Sequence, residues 1–428
     1  MSFRIANPSW RWIIASLTVV VFLVVAYAGS KSTYADHLES SSRPEDWVRA
    51  SQMEPDNGAY WYKLGLYREW DIDNGDLNKA IEYLSRATAI DPRSATYLMA
   101  LGGAYETAGQ FAKARQSYLA ALEVYPLSAV AHWRYGSFLL RQGDAKQAYA
   151  EMQRAVLGDR TLVLLAVSRV WLETHDVQPL LTTVLPSDIE SNQRALDWFC
   201  ELREPDPALA VWKRMIGLHQ TIPIMNTVPL INILLNANRG DDARQVWLEA
   251  LAASGNGKEA ETNGSLVFNG GFEFDSVNGG FDWHIDSTQG VTFDYDTSAP
   301  HSGRRALRIK FDGTQNISLE GVWQIVPVVP GRRYRFEGYL RTSGITTDSG
   351  VRFALAFPGG DQAVIVMDNF TGDHPWTAQS AEFTPGAGVH QVWISVTRPP
   401  SQKFDNKLGG TAWVDDVSVF PVEAPGHP

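Results

Sequence analysis

Residues 95–126, ATYLMALGGAYETAGQFAKARQSYLAALEVYP, decide the fold of the N-terminal half of the chain. Small residues and one large aromatic residue stand at fixed places in this stretch, at Gly102, Ala114, Tyr118 and Ala121. A small side chain lets two helices approach closely, and a large one fills the space beside them. The same places recur at an interval of thirty-four residues on either side, as Gly136, Ala148, Met152 and Ala155 and as Ala80, Leu84 and Ala87.

A helical hairpin built in this way leaves one apolar face that only the next hairpin can cover, so that the hairpins stack. The motif resembles the tetratricopeptide repeat (TPR). The resemblance extends over residues 58–254 and implies an α-solenoid of five or six hairpins, with a poorly matched one at 161–186. It also implies that a protein partner binds on the concave face of the solenoid.

Composition limits the classes of function. The chain has 428 residues, which suits two or three domains, and a net charge of −11. Nucleic-acid binding is disfavoured, because it depends on neutralising phosphates with Lys and Arg. Cys200 is the single cysteine, so no intrachain disulfide forms, and we expect it to be a small buried hydrophobic residue.

Residues 1–30 are predicted to be a signal anchor or a signal peptide. The stretch from Ile13 to Ala28 is almost wholly apolar, and basic residues precede it. A signal peptide would be cut after Ala28, whereas an uncleaved single-pass anchor would use Trp10 and Trp12 at the interface. We favour the anchor. Either way the rest of the chain is expected in the bacterial cell envelope, on the periplasmic side of the inner membrane, or secreted after cleavage. Residues 31–57 are interpreted as a polar tether with a short helix around Trp47.

The pattern changes after residues 255–264, which have the composition of a linker. Short segments of alternating apolar and polar residues follow, separated by turns that contain Gly and Pro. Such spacing predicts an antiparallel β-sandwich over residues 265–422. The fold class is therefore multidomain α + β, with an N-terminal membrane or signal helix, a TPR solenoid and a C-terminal sandwich.

Motifs in this domain carry a second resemblance. The domain opens with NGGFE (269–273), continues with HSG (301–303) and PGRRY (330–334), and ends with WVDDVSV (413–419). In this order they resemble a carbohydrate-binding module of the family four and nine type, which is a jelly-roll sandwich. The resemblance implies that Glu273 and Asp416, or Asp415, help to hold a structural calcium ion. It also implies sugar binding by aromatic side chains exposed on one sheet.

Alternation along the strands separates candidate binding residues from core residues. If Phe336 and Ile394 point inward, their neighbours point outward. We assign Trp283 and Trp376 to the core. Packing at a domain interface is the alternative for each outward aromatic residue. The predicted carbohydrate-binding platform consists of Trp323, Glu337, Tyr339, Arg341, Gln391 and Trp393.

The sequence contains none of the metalloprotease, nucleophile-elbow, phosphate-binding or dinucleotide-binding patterns. We therefore expect a non-catalytic scaffold that docks a protein through its repeats and binds glycan through its sandwich, in the assembly or export of an exopolysaccharide. A purely protein–protein scaffold with a structural sandwich is the alternative. A glycan-active enzyme is the weaker alternative.

Overall fold

The computed structural model describes residues 8–41, 43–71, 75–254, 264–358 and 364–422. These residues divide into two compact units, 1–186 and 187–428. The last two helical hairpins therefore belong with the sandwich and not with the first repeats. Most of the predicted linker, residues 255–263, lies outside the described residues.

The first unit is helical. Several of its helices begin at a side-chain cap: Ser94 Oγ accepts a hydrogen bond from Tyr97 N, and Ser128 Oγ accepts one from Ala131 N. A 3₁₀ turn (Arg160–Leu162) precedes the last helix, and a π-helical turn (Leu180–Val184) follows it. The helices are α1 (Pro8–Glu39), α2 (Pro44–Met53), α3 (Gly58–Trp70), α4 (Leu77–Ile90), α5 (Ala95–Thr107), α6 (Phe111–Val124), α7 (Ala129–Arg141), α8 (Ala145–Gly158) and α9 (Val163–Thr174).

The thirty-four-residue pattern corresponds to three hairpins, α3–α4, α5–α6 and α7–α8, as predicted. The recurring alanines are buried, among them Ala80, Ala114 and Ala148. At Gly102 an added Cβ would stand 3.0 Å from the ring of Tyr118, which is tighter than ordinary contact. Close helix contact therefore explains why small residues recur at these places.

The tether predicted for residues 31–57 is wrong in one respect, because most of it is helical and packed. Helix α1 continues without a break to Glu39, and Ala35 and Leu38 are buried against Ala50 and Tyr60. Residues three apart share one helix face, so a mainly polar segment still buries a narrow apolar stripe. The short helix expected around Trp47 is present as α2.

Helix α1 is also the membrane candidate. Among the described residues, the helical stretch Trp12–Glu39 is long and apolar enough to cross a membrane, and an 18-residue window within it has a mean hydropathy of 2.3. A signal sequence near the N-terminus has the same properties. The choice between anchor and signal peptide therefore stays a prediction.

The second unit begins with two more hairpins, built from α10 (Ile189–Glu201), α11 (Pro205–Gly217), α12 (Val228–Asn236) and α13 (Gly240–Ala253). Trp212 and Trp247 are buried, as expected for the second helix of a repeat. Cys200 is buried as predicted, and burial raises the pKa of its thiol to about 12.

In residues 264–358 and 364–422 the strands of the sandwich are β1 (His284–Ile285), β2 (Val291–Asp296), β3 (Ala306–Asp312), β4 (Leu319–Pro327), β5 (Tyr334–Ile345), β6 (Arg352–Ala356), β7 (Ile365–Val366), β8 (Gly372–Phe383), β9 (Gln391–Arg398) and β10 (Gly409–Pro421). These strands form two antiparallel five-stranded sheets. Sheet A has the order β1-β4-β9-β6-β7, and sheet B has the order β2-β3-β10-β5-β8. Phe336 and Ile394 are fully buried between the sheets, so the predicted alternation is confirmed.

The sandwich is docked on the last hairpin, α12–α13. Trp247 on α13 contacts Phe268 and Phe281 edge to face, with ring centroids 5.5 and 6.4 Å apart. Gly280 has a φ of +62°, and an added Cβ would stand 2.4 Å from the Trp247 ring. Arg244 donates a hydrogen bond to the carbonyl of Leu266. Buried aromatic contacts therefore join the helices to the sandwich in this unit.

Candidate functional site

Three aromatic rings form a row across the outer face of sheet A. His284 on β1 stacks on Trp323 on β4, with centroids 3.7 Å apart and planes 4° apart. Trp323 in turn stacks on Trp393 on β9, at 5.2 Å and 15°. Trp393 is 38% exposed, whereas the other two rings are partly buried. The row therefore ends in one ring that is open to solvent.

Trp323 leaves one face of the Trp393 ring uncovered, and we infer that this face is directed toward β6. Trp323 on β4 covers one face of the ring by nearly parallel stacking, and β6 lies on the other side of β9. The outward residues of β6 nearest to Trp393 are small: Ala356 pairs with Trp393, and Ala354 pairs with Ser395. Arg352 is the outward residue at the far end of the strand, where it pairs with Thr397. A flat aromatic face above a floor of small side chains is suited to a flat, partly apolar ligand.

Local sequence explains how the row is built. Strand β4 alternates buried Val322 and Gln324 with outward Trp323. The indole Nε1 of Trp323 donates a hydrogen bond of 3.4 Å to Asp286. Burial lowers the pKa of His284, against a smaller opposing effect of the Asp286 charge. The uncharged imidazole that this favours stacks on an indole without loss of ionic hydration.

The structure does not bring the six predicted binding residues together. Trp323, Gln391 and Trp393 lie on sheet A, but Glu337 and its neighbours on β5 lie on sheet B. The single predicted platform is therefore wrong. Alternation gives the face of each strand and does not say which sheet the strand joins. The residues that fall on the opposite face are Glu337, Tyr339 and Arg341.

Sheet B has its own row of aromatic and charged residues, which contact one another. Tyr339 stacks on His301 at 3.7 Å, and Arg341 lies over the Trp413 ring at 4.6 Å. Glu337 forms an ion pair with Arg335, with a distance of 3.1 Å between Oε2 and Nη2. The planar groups of Tyr339 and Arg341 are thus covered by side chains of the chain itself.

Asp296 on β2 holds the Trp413 ring of this row through a hydrogen bond. Its Oδ1 accepts a hydrogen bond from Ser298 Oγ at 2.7 Å, and its Oδ2 accepts one from Trp413 Nε1 at 2.8 Å. Arg308 also pairs with it at 3.0 Å. These donors, Ser298 foremost, lower the pKa of Asp296.

One of the two core tryptophans is placed correctly. Trp283 is fully buried and stacks on Phe272 at 5.0 Å. Trp376 is not in the core: it is partly exposed on β8, contacts His301 edge to face at 5.7 Å, and donates to the carbonyl of Ala299. The loop that carries His301 covers this strand and provides contacts for an outward ring.

The predicted calcium ligands lie near one another. Glu273 Oε1 accepts from the backbone N–H of Arg304 at 2.7 Å, and buried Asp415 accepts from the N–H of His301 at 2.8 Å. Burial, followed by the charge of Asp416, raises the pKa of Asp415 to about 7.

N–H and hydroxyl donors contact the oxygens of these carboxylates, so a calcium ion would have to replace some of these hydrogen bonds. Asp416, for example, accepts from Ser302 Oγ at 2.7 Å. No group of three or more His, Cys, Asp or Glu side chains in the described residues is arranged to hold a metal ion. Calcium binding therefore stays a prediction of the family resemblance.

A groove on the first helices of the repeats is a second candidate site, and its residues were not singled out from the sequence. Its volume is about 770 Å³. Glu106 and Arg141 form an ion pair at 2.6 Å within it, and burial raises the pKa of Glu69. Trp70 is 73% exposed beside it. The groove is also lined by Val130, Trp133, Arg134 and Arg169.

Comparison with known proteins identifies the repeats. A family model for the tetratricopeptide repeat matches residues 71–123 and 105–161. Residues 71–161 are tetratricopeptide repeats. A search of curated proteins finds no match.

Solved structures give distant likenesses only. The xylan-binding domain CBM22-1 of Paenibacillus barcinonensis Xyn10C is 13% identical, with 36% of this chain and 93% of that domain covered and a TM-score of 0.26. The TPR protein YrrB is 13% identical, with 50% and 95% covered and a TM-score of 0.26. Pseudomonas aeruginosa pilF is 16% identical, with 55% and 94% covered and a TM-score of 0.28. Likenesses of this degree do not bear on function.

Proposed function

We propose that this protein is a non-catalytic scaffold of the bacterial cell envelope. Its TPR segment docks a protein partner, and the outer face of sheet A binds a glycan. The N-terminal helix α1 anchors it in the inner membrane, with the rest of the chain on the periplasmic side. Its place is in the assembly or export of an exopolysaccharide.

The exposed ring of Trp393 carries the glycan half of this proposal. Sugar rings have apolar C–H faces, and a fixed aromatic ring offers them a large flat contact at a small cost in entropy. Trp323 and His284 hold the ring in place from one side, so the face toward β6 is preorganised. Preorganisation reduces the entropy lost on binding.

The repeat groove supports the protein half. Its exposed Trp70 offers apolar contact, and Arg134 and Arg169 add positive charge to a chain with a net charge of −11. An extended protein segment with an acidic residue suits such a groove. Replacing Trp70 by a photo-crosslinking residue, and comparing it with the same replacement at exposed Leu127, tests whether a partner lies in the groove.

Affinity electrophoresis of the full chain in detergent tests the glycan half, with soluble xylan, mixed-linkage β-glucan and alginate cast in separate gels. We expect retardation by at least one polysaccharide, and its loss in Trp393→Ala. Phe404 is fully exposed in the loop after β9, so Phe404→Ala is a matched control that should behave as wild type. Absence of retardation in every gel would remove the glycan half.

A purely protein-binding scaffold is the second candidate, and the docking of the sandwich on Trp247 favours it. The sandwich would then close the apolar end of the helical hairpins, as the terminal unit of a solenoid must. In that case Trp393→Ala changes neither polysaccharide retardation nor the circular dichroism spectrum.

A further inference from the structure

A crevice opens where the last helical hairpin meets the sandwich, inside the second unit. The turn between α12 and α13 contributes Asn236, Asn238 and Gly240, and the sandwich contributes Pro358, His390 and Gln391. Its volume is about 180 Å³. The crevice therefore has walls from both the helices and the sheet.

The crevice continues the exposed face of Trp393. Gln391 stands two residues before Trp393 on β9, so the two side chains share a face at a spacing of roughly 7 Å. On the neighbouring strand Ala356 pairs with Trp393, and Pro358 follows two residues later. A ligand that lies on the indole ring and extends toward the start of β9 thus reaches the crevice.

The walls are polar, and one polar atom lacks a partner. The Oε1 atom of Gln391 is buried without a hydrogen-bond partner among the described residues. A buried acceptor of this kind is stabilised by any ligand that donates a hydrogen bond to it. Asn236 and Asn238 bring two more amides, each of which both donates and accepts. Hydroxyl groups, which also donate and accept, are matched to such walls.

The charge of the lining residues restricts the chemical class of the ligand further. Among the described residues that line the crevice there is no Asp, Glu, Lys or Arg. Asp286 lies at the other end of the ring row, hydrogen-bonded to Trp323, and the whole chain has a net charge of −11. A polyanion would therefore meet no Lys or Arg among the described residues of the crevice wall, and the negative field of the chain would repel it. Two arginines, Arg244 and Arg332, line the adjoining pocket.

We propose that the bound glycan is an uncharged polysaccharide that passes from the Trp393 ring into this crevice, where Asn236 and Asn238 of the helical hairpin contact it together with Gln391. The proposal rests on the glycan-binding function proposed above. The binding site is then composite, and the helices contribute to it directly.

Isothermal titration calorimetry of the full chain in detergent tests this proposal, with xylan, mixed-linkage β-glucan and alginate as probes. The test variant is Asn236→Ala/Asn238→Gly; glycine at 238 keeps the positive φ of +59° that the turn requires. We expect the double variant to bind the neutral probes roughly tenfold more weakly, as for one or two lost hydrogen bonds. Asn78→Ala, at an exposed position of α4, should bind as wild type.

The outcomes separate this proposal from the function on which it rests. Loss of binding in Trp393→Ala with wild-type affinity in the double variant would overturn the composite site and leave the glycan function standing. Tighter binding of alginate than of the neutral probes would overturn the proposed ligand class. No binding of any probe by the wild type, or binding that Trp393→Ala leaves unchanged, would overturn both. Circular dichroism verifies that each variant is folded.

Discussion

Replacing Gly280 by alanine tests the docking of the sandwich on the last helical hairpin. The new Cβ would stand 2.4 Å from the buried ring of Trp247, and the residue would keep a φ of +62°. The left-handed conformation costs about 1–2 kcal/mol in a residue other than glycine. Overpacking against a buried ring adds about 1–3 kcal/mol. We therefore expect a loss of roughly 2–5 kcal/mol in the free energy of opening this contact.

The control is Gly331→Ala. Gly331 has a φ of +79°, but an added Cβ meets nothing within 4 Å. This variant should lose only the conformational part, about 1–2 kcal/mol. The difference between the two variants isolates the contact with Trp247.

Amide hydrogen exchange measured by mass spectrometry is the assay, because a chain with two units is not expected to unfold in one step. Exchange in α13 and in residues 264–283 should accelerate in Gly280→Ala by about 1.5 to 3.5 powers of ten, at about 1.4 kcal/mol per tenfold change. Equal effects of the two substitutions on these segments would refute the docking that the structure shows.

Three further predictions concern stability. Gly102→Ala should lower the melting temperature relative to Gly103→Ala by the equivalent of about 1–3 kcal/mol. A Cβ added at Gly102 is 3.0 Å from a buried ring, whereas a Cβ added at Gly103 is 3.8 Å from the nearest atom. Equal melting temperatures of the two variants would contradict close helix packing. Asp296 has a lowered pKa, so its contribution is present above the ordinary carboxyl value near 3.8 and is lost as the pH falls below it. Asp296→Asn should therefore destabilise the protein by about 1–3 kcal/mol at pH 7 and by less at pH 2, as measured by urea unfolding, and an effect independent of pH would contradict this. The family resemblance predicts that calcium binds at Asp415, so we expect millimolar CaCl₂ to raise the melting temperature of the wild type and not that of Asp415→Asn. If the melting temperature of the wild type does not increase, the calcium site is excluded.

The helices and the strand faces were predictable because each depends on a short period in the sequence. Small residues at an interval of thirty-four located the hairpins, and alternation located Phe336 inside and Trp393 outside. Both periods are local properties of a single element.

Strand order was not predictable, because it depends on which distant strand each strand pairs with. Outward residues of both sheets show the same alternating pattern in the sequence. The pattern therefore predicts one shared face for Tyr339 and Trp393, although they lie on opposite sheets. His284 was missed because it belongs to a strand of two residues that has no period of its own. Trp247 and Gly280 lie on either side of the predicted linker, and their contact depends on the tertiary structure. In the sequence, the only trace of this contact is a glycine in a segment that contains many glycines.

A crystal structure of the chain with an oligosaccharide of the polysaccharide that it binds tests the central claim most directly. The account predicts a sugar ring stacked on the face of Trp393 that looks toward Ala354 and Ala356. A sugar on the outer face of sheet B, against Tyr339 or Trp413, would contradict it.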